Sequence, residues 1–260
     1  MASTGHKAPV LVGSRRILIE NIIRQVGDWR DRLGKGVLDS RALAALASVP
    51  RNEFIPRRLE ELAYVDRPLD IGCGQTITQP SVVAVMTDLL EPRPTDRVLE
   101  IGTGCGYQTA VLSVLAGAVY TVEILPEVAA DTALRLARLG YTNVAIRNGD
   151  RRHGWEQHAP FDAIILTAAP MVVPKSLLDQ LKPGGRLVAP VGPSRPVPTD
   201  AVSGQRLGLM RMKISGGVTE RRLLPVNFPP LTGGPAETPA RLLRGGGEVI
   251  HIDPYRLRRR

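Results

Sequence analysis

The sequence predicts an α/β protein with a Rossmann-like, doubly wound parallel sheet. Three observations predict it. From 96 to 191, short apolar runs alternate with segments of helical period. The first of these runs ends in glycines at 102, 104 and 106, and an amphipathic stretch follows at once, giving strand, glycine turn and helix. After Val197 the helical pattern stops, and two long strand-like segments flank Ser215-Gly-Gly217, which reads as an antiparallel hairpin. The expected organisation is an N-terminal helical cap with a substrate loop over 1–94, a Rossmann-like core over 95–232, and an Arg-rich flexible tail over 233–260.

Each element follows from local pattern. Residues 1–13 are expected to be disordered. Apolar residues at 17, 19, 22, 23 and 26 form one helical face, broken by Gly27 and by Gly34-Lys-Gly36. A second helix covers 39–47, with Asp39 or Ser40 as N-cap. A third helical piece spans 57–63. Residues 66–80 are too rich in Gly and Pro for a regular element and carry several hydroxyl and amide side chains, so they read as a loop, either a binding segment or a plain connector. Pro80 opens the next helix, which Pro92 and Pro94 close. The core strands are expected at 96–101, 118–123, 143–147, 162–166 and 186–191. Its helices are expected at 106–116, 126–139 and 174–181, with a turn at 182–185. A short helix is expected near 239–244.

Composition narrows the function classes. The 260 residues are 43% hydrophobic and only 4% aromatic, so the core is large and mostly aliphatic. The net charge is +9, and 29 of the 34 basic residues are Arg. That charge is scattered, with no long basic run before the tail, so nucleic acid is not the favoured partner. Cys73 and Cys105 lie far apart and offer neither metal spacing nor a disulfide framework, which suits a reducing cytoplasm. No apolar run approaches the ~18 residues of a membrane span, and the N-terminal segment, broken by Arg15, Arg16 and Glu20, does not read as a signal peptide.

The chemistry-bearing residues gather at predicted strand tips. Gly102, Gly104 and Gly106 let backbone pass close under a ligand, with helix amides facing it. Glu100 sits just before that turn and, with Glu123, counts as a cofactor-binding residue for a nucleoside. Glu123 ends the second strand, where an acid suits the hydroxyls of an adenosine ribose. A dinucleotide fingerprint wants its third glycine three residues after the second, and Tyr107 stands there instead. The pattern Glu-x-Gly-x-Gly-x-Gly resembles that of methyltransferases using S-adenosylmethionine. Asp150, after the third strand, is placed to accept from an adenine amino group, although an Asp there also serves as a helix cap. His153 and His158 flank Trp155 in a polar loop and read as surface histidines. No metal cluster, catalytic triad or base-methylation signature appears.

The whole pattern resembles the protein-L-isoaspartate(D-aspartate) O-methyltransferase family, from about 17 to 231. The resemblance rests on Val49-Pro-Arg51 with Phe54-Ile-Pro56, Ala63-Tyr64 with Asp66-Arg-Pro-Leu69, and above all Gly74-Gln-Thr-Ile-Thr-Gln-Pro80. The cofactor motif, Asn148-Gly-Asp150 and Leu181-Lys-Pro-Gly-Gly-Arg-Leu-Val188 continue it. The resemblance implies S-adenosyl-L-methionine as cofactor and protein or peptide substrates with isoaspartyl residues. It implies Thr78 as the active-site hydroxyl, with Ile77, Gln79 and Pro80 lining the pocket. The cofactor would lie over the glycines at 102–106, with Glu123 and Ile124 at the ribose, Asp150 near the adenine and Thr232 approaching the site. No metal and no membrane are implied. The departures are Cys73 where Tyr is common, Asp70 where Pro is common, and Arg151-Arg152 where small residues usually follow the Asp. Cys73, Asp70 and a tail beyond about 233 with no counterpart in the family leave open a peptide-tailoring carboxyl O-methyltransferase acting on a normal Asp. A non-catalytic cofactor-binding or RNA-binding relative is the alternative from another class.

Overall fold

The computed structural model describes residues 7–72, 74–193, 204–232 and 249–251. Two compact units form, residues 1–88 and 89–260. Their boundary falls inside the helix Pro80–Leu90. Cys73 and the helix expected near 239–244 lie outside the described residues.

The first unit is helical. Helix α1 runs Lys7–Asp28, so it starts inside the 1–13 stretch expected to be disordered, with Pro9 in the first turn where its missing N–H costs nothing. Helix α2 is the short Arg30–Leu33, ended by Gly34 in the left-handed region. Helix α3 spans Ser40–Ser48, and Asp39 caps it by accepting from the Arg41 amide. Two 3-10 turns follow, Arg51–Phe54 and Arg57–Leu62. Arg15 of α1 donates to the Ala47 carbonyl at 2.9 Å and to the Tyr64 hydroxyl at 3.0 Å, and that hydroxyl donates to Asn52 at 2.8 Å. Buried Leu18, Ile22, Leu46 and Phe54 supply the apolar contacts.

The loop expected to be irregular is a small hairpin. Strand β1 (Leu69–Gly72) pairs antiparallel with β2 (Gln75–Ile77), Leu69 opposite Ile77, both buried. Gly72 and Gly74 take positive φ at the turn. Glycine content thus serves the reversal, while alternate apolar residues anchor it. Helix α4 then covers Pro80–Leu90.

The second unit holds an eight-stranded sheet in the order β10-β5-β4-β3-β6-β7-β8-β9. Strands β3 (Arg97–Ile101), β4 (Ala118–Glu123), β5 (Val144–Asn148), β6 (Phe161–Leu166) and β7 (Leu181–Val191) are parallel. Helices α5 (Tyr107–Leu115), α6 (Pro126–Arg138) and α7 (Lys175–Leu178) connect them. The near-continuous apolar runs of β3 and β6 are buried, as expected of central parallel strands. Strands β8 (Arg206–Met212) and β9 (Val218–Pro225) form the expected hairpin against β7.

Two expectations change here. Residues 182–185 do not separate helix from strand: β7 starts at Leu181 and absorbs them as an irregularity, with Gly184 at positive φ, while α7 shrinks to one turn. The tail is not wholly without regular structure: β10 (Val249–His251) pairs antiparallel with β5 at the sheet edge. A three-residue strand has too little period for a sequence pattern to expose it. Among the described residues no helix is long and apolar enough to cross a membrane.

Candidate cofactor site and acceptor loop

At the carboxyl edge of the second unit, β3 ends in the glycine loop. Gly102, Gly104 and Gly106 have φ of 100°, 52° and 85°, a region that other residues rarely enter. A Cβ on Gly102 would stand 2.5 Å from Thr167 Oγ1, and one on Gly106 would stand 2.6 Å from Thr132 Cγ2. The loop is pinned from both sides: Thr132 donates to the Gly104 carbonyl at 2.7 Å, and the Thr167 hydroxyl reaches the Gly102 carbonyl. Helix α5 starts from Gly106, so no side chain caps it, and the positive end of its dipole is left toward the loop.

Glu123, at the tip of β4, is 1% exposed. One of its oxygens accepts from the Gly104 amide at 3.0 Å; the other accepts from Ile124 and Leu125 at 2.9 and 3.1 Å. A carboxylate offers about four lone-pair sites, so three are already committed and room remains for one more donor. Glu123 therefore shapes the loop as well as facing any ligand. Ile124 beside it is half-buried. Asn148 donates to the carbonyls of Glu123 and Ile124 at 3.0 and 3.1 Å, locking the tips of β4 and β5 together.

Glu100 lies beneath the loop, fully buried, with Thr109 of α5 donating to it at 2.5 Å. Burial pushes its carboxyl up to about 8, and the charge of Glu123 adds to the rise, against the pull of the Thr109 and Thr121 hydroxyls. At neutral pH Glu100 is mostly a neutral acid tying strand to helix.

Asp150 accepts from the Arg152 amide at 2.9 Å and pairs with its guanidinium at 2.8 Å, so its capping role is realised. Thr232 is reached from an unforeseen direction: Arg151 donates to its hydroxyl at 2.7 Å. The segment ending at Thr232 runs beside the tip of β6, with Leu231 donating to the Ala169 carbonyl. Thr167 was missed by sequence reasoning, although, directly after an apolar run, it carries the same strand-tip signal as Glu123; Arg151 was marked only as a departure from the family pattern.

In the first unit, the acceptor loop is organised by Asp66. Its carboxylate accepts from the Ser81 amide at 2.8 Å, at the start of α4, and from the Gln79 side chain at 3.3 Å. The Asp66-Arg-Pro-Leu and Gln-Thr-Ile-Thr-Gln-Pro motifs are thus one structure. Ile77 is buried at 2%. Thr78 is half-buried, and among the described residues its hydroxyl has no hydrogen-bond partner. Asp66, not Thr78, caps α4.

A family model for protein-L-isoaspartate(D-aspartate) O-methyltransferase matches residues 30–235. The chain belongs to the protein-L-isoaspartate(D-aspartate) O-methyltransferase family. Protein-L-isoaspartate O-methyltransferase 2 of Polaromonas sp. is 49% identical over 216 residues, covering 83% of this chain and 99% of that one. The enzyme of the same name from Syntrophobacter fumaroxidans is 48% identical, covering 85% and 87%. A solved protein-L-isoaspartate O-methyltransferase superposes with a TM-score of 0.67 at 26% identity, covering 83% of this chain and 66% of that one. A candidate family member from Plasmodium falciparum, in complex with S-adenosyl-L-homocysteine, superposes at 0.64 with 22% identity, covering 84% and 98%. The family likeness and the strand order agree on the Rossmann-like methyltransferase fold.

The residues of the second unit fit S-adenosyl-L-methionine, the family's cofactor. The glycine loop turns at positive φ and packs closely on Thr167 and Thr132, α5 presents an uncapped N-terminus, and Glu123 keeps one acceptor site. Among the described residues no group of three His, Cys, Asp or Glu could hold a metal.

Proposed function

We infer that this protein is an S-adenosylmethionine-dependent methyltransferase acting on the free carboxylate of L-isoaspartyl and D-aspartyl residues in damaged proteins and peptides. The observation that carries this reading is the joined acceptor loop, in which Asp66 holds the most specific family motif in a defined hairpin and helix start. The relatives' names support the same activity. A normal-Asp tailoring activity and a non-catalytic role have no observation of their own in their favour.

The cofactor supplies an electrophilic methyl group when bound. We propose that the glycines at 102, 104 and 106, with Glu123, Ile124 and Asp150, hold it, and that Glu100 supports the loop from below. The family resemblance also assigns Ile77, Gln79 and Thr232 to cofactor binding, and we keep that assignment as part of the proposal. The acceptor carboxylate, with a pKa of about 4, is ionised at neutral pH and needs no base. The absence of a His or Lys base beside Thr78 in sequence is consistent with that chemistry. The protein's part is to orient the reactants and exclude water. The Thr78 hydroxyl, not spent on capping, is the group we assign to hold the carboxylate. Once esterified, the group leaves as methanol when the neighbouring backbone nitrogen closes a succinimide. Water then reopens the ring, partly to normal aspartate. We place the protein in the cytoplasm.

The test is methyl incorporation into matched peptides containing isoaspartate or aspartate at one position. Labelling of the isoaspartyl peptide alone is expected; labelling of the aspartyl peptide alone would move the protein to the tailoring class.

A further inference from the structure

Arg151 stands where small residues usually follow the strand-tip Asp, and its side chain is only 8% exposed. The guanidinium lies across the carboxyl edge of the sheet. Its Nη2 donates to Thr232 beside the tip of β6, and its Nη1 stands 3.8 Å from where a Gly102 Cβ would be, at the tip of β3. Its Nε is buried with no hydrogen-bond partner.

This cation has no ion-pair partner among the described residues. The two acids near enough to influence it make no ion pair with it: Asp150 pairs with Arg152, and Glu123 accepts from three backbone amides and faces the guanidinium only at longer range. Burial pushes the guanidinium's pKa down, and the charges of Glu123 and Asp150 only oppose that. A buried charge without a partner is costly, and removing that cost is what a bound counter-charge does. A planar fork of donors matches a carboxylate better than any other biological anion except phosphate. A strut serving only to hold the Thr232 segment would not need a charge.

We propose that Arg151 is a carboxylate receptor in the floor of the methyltransferase site, taking the carboxylate of one of the two reactants. Two sources share this chemistry: the aminoacyl end of the cofactor, and the methyl-accepting carboxylate of the peptide. The inference rests on the methyltransferase reading above.

The experiment compares the wild-type chain with Arg151→Gln. Calorimetric titration with S-adenosylhomocysteine and with 5′-methylthioadenosine, which lacks the aminoacyl end, gives one arm. The KM for an isoaspartyl peptide at saturating S-adenosylmethionine gives the other. A loss of at least tenfold for S-adenosylhomocysteine, with 5′-methylthioadenosine unchanged, assigns the cofactor's carboxylate. A tenfold rise in peptide KM with both nucleoside affinities unchanged assigns the substrate's. No change in either arm, or an equal loss for both nucleosides, overturns the proposal. Arg151→Lys covers the case in which the glutamine variant does not fold: losing the fork while keeping the charge should reduce the same arm at least threefold, and no reduction overturns the proposal. Wild-type protein that neither distinguishes the two nucleosides nor methylates the peptide would instead refute the methyltransferase reading.

Discussion

Glu100→Gln removes a titrating group from the centre of the second unit while keeping its shape. The folded carboxyl is raised from 4.5 to about 8, chiefly by burial. An unfolded glutamate ionises near 4.3. Between these values the folded chain holds a proton that the unfolded chain has released. Stability is therefore fully present below about pH 4, falls as pH rises toward 8, and then levels. At 1.36 kcal/mol per pKa unit the whole fall is about 5 kcal/mol, of which about 3–4 kcal/mol lies between pH 5 and 8. Relaxation or water entry lowers that, and about 1.5 kcal/mol is a safe floor. Glutamine cannot ionise, so its variant should lose this slope. The assay is urea denaturation of both proteins at pH 5 and pH 8, read as the difference between them. Titrating groups that the substitution leaves untouched cancel in that difference. The glutamine variant should gain on the wild type by at least about 1.5 kcal/mol on going from pH 5 to 8. A difference that stays constant with pH would refute the neutral, buried Glu100, and with it the idea that this acid ties strand to helix rather than binding ligand as an anion.

Three further outcomes follow from the hydrogen bonds and one from the sheet edge. Thr78→Val should cut kcat/KM for an isoaspartyl peptide by about 10- to 150-fold, the scale of one hydrogen bond to an anion. Its melting temperature should hold, because Asp66 caps α4; a destabilised but fully active variant would remove Thr78 from the active site. Asp66→Ala should do the opposite first, costing about 1–2 kcal/mol in denaturant titration through the lost cap. Glu123→Ala should weaken S-adenosylmethionine by about 1.5–3 kcal/mol in calorimetric titration, and because Glu123 also holds the Gly104 amide, amide exchange in the loop should speed up. A chain stopped at 233 should keep a cooperative melt despite losing β10, since that strand adds only three residues to one edge; insolubility would show that the tail protects β5.

The fold was legible because its elements obey strong periods. The apolar runs at 98–101 and 162–166 and the amphipathic helix at 126–138 lie within two residues of their expected bounds. What escaped were elements set by tertiary partners. The β1–β2 hairpin is held by two buried apolar residues, Leu69 and Ile77, too few to outweigh its Gly and Pro content locally. Trp155, placed by sequence in a polar loop, is 2% exposed and packs edge-on against Tyr120 at 5.7 Å. Nothing in its flanking residues reports a partner 35 positions away.

The site divides along the same line. Glycine positions and strand-tip acids are read directly from sequence, because backbone conformation and topology leave little freedom in where they go. The roles of those acids are not, because a carboxylate's role depends on which donors surround it. Glu100 stands one residue before the end of β3 and Glu123 at the end of β4; the first accepts from the Thr109 hydroxyl beneath the loop, the second from three amides of the loop and strand tip. Asp150 is drawn away by Arg152, its neighbour two residues on, a contact any sequence reading could have weighed. Arg151 is the harder case. A charged residue after a strand tip is by default a solvated one, and only the distant Thr232 and the glycine at 102 reveal that this cation points inward. The departure from small residues was visible in the chain; that it puts a buried charge at the tips of two central strands follows only from the strand order that brings β3 beside β6.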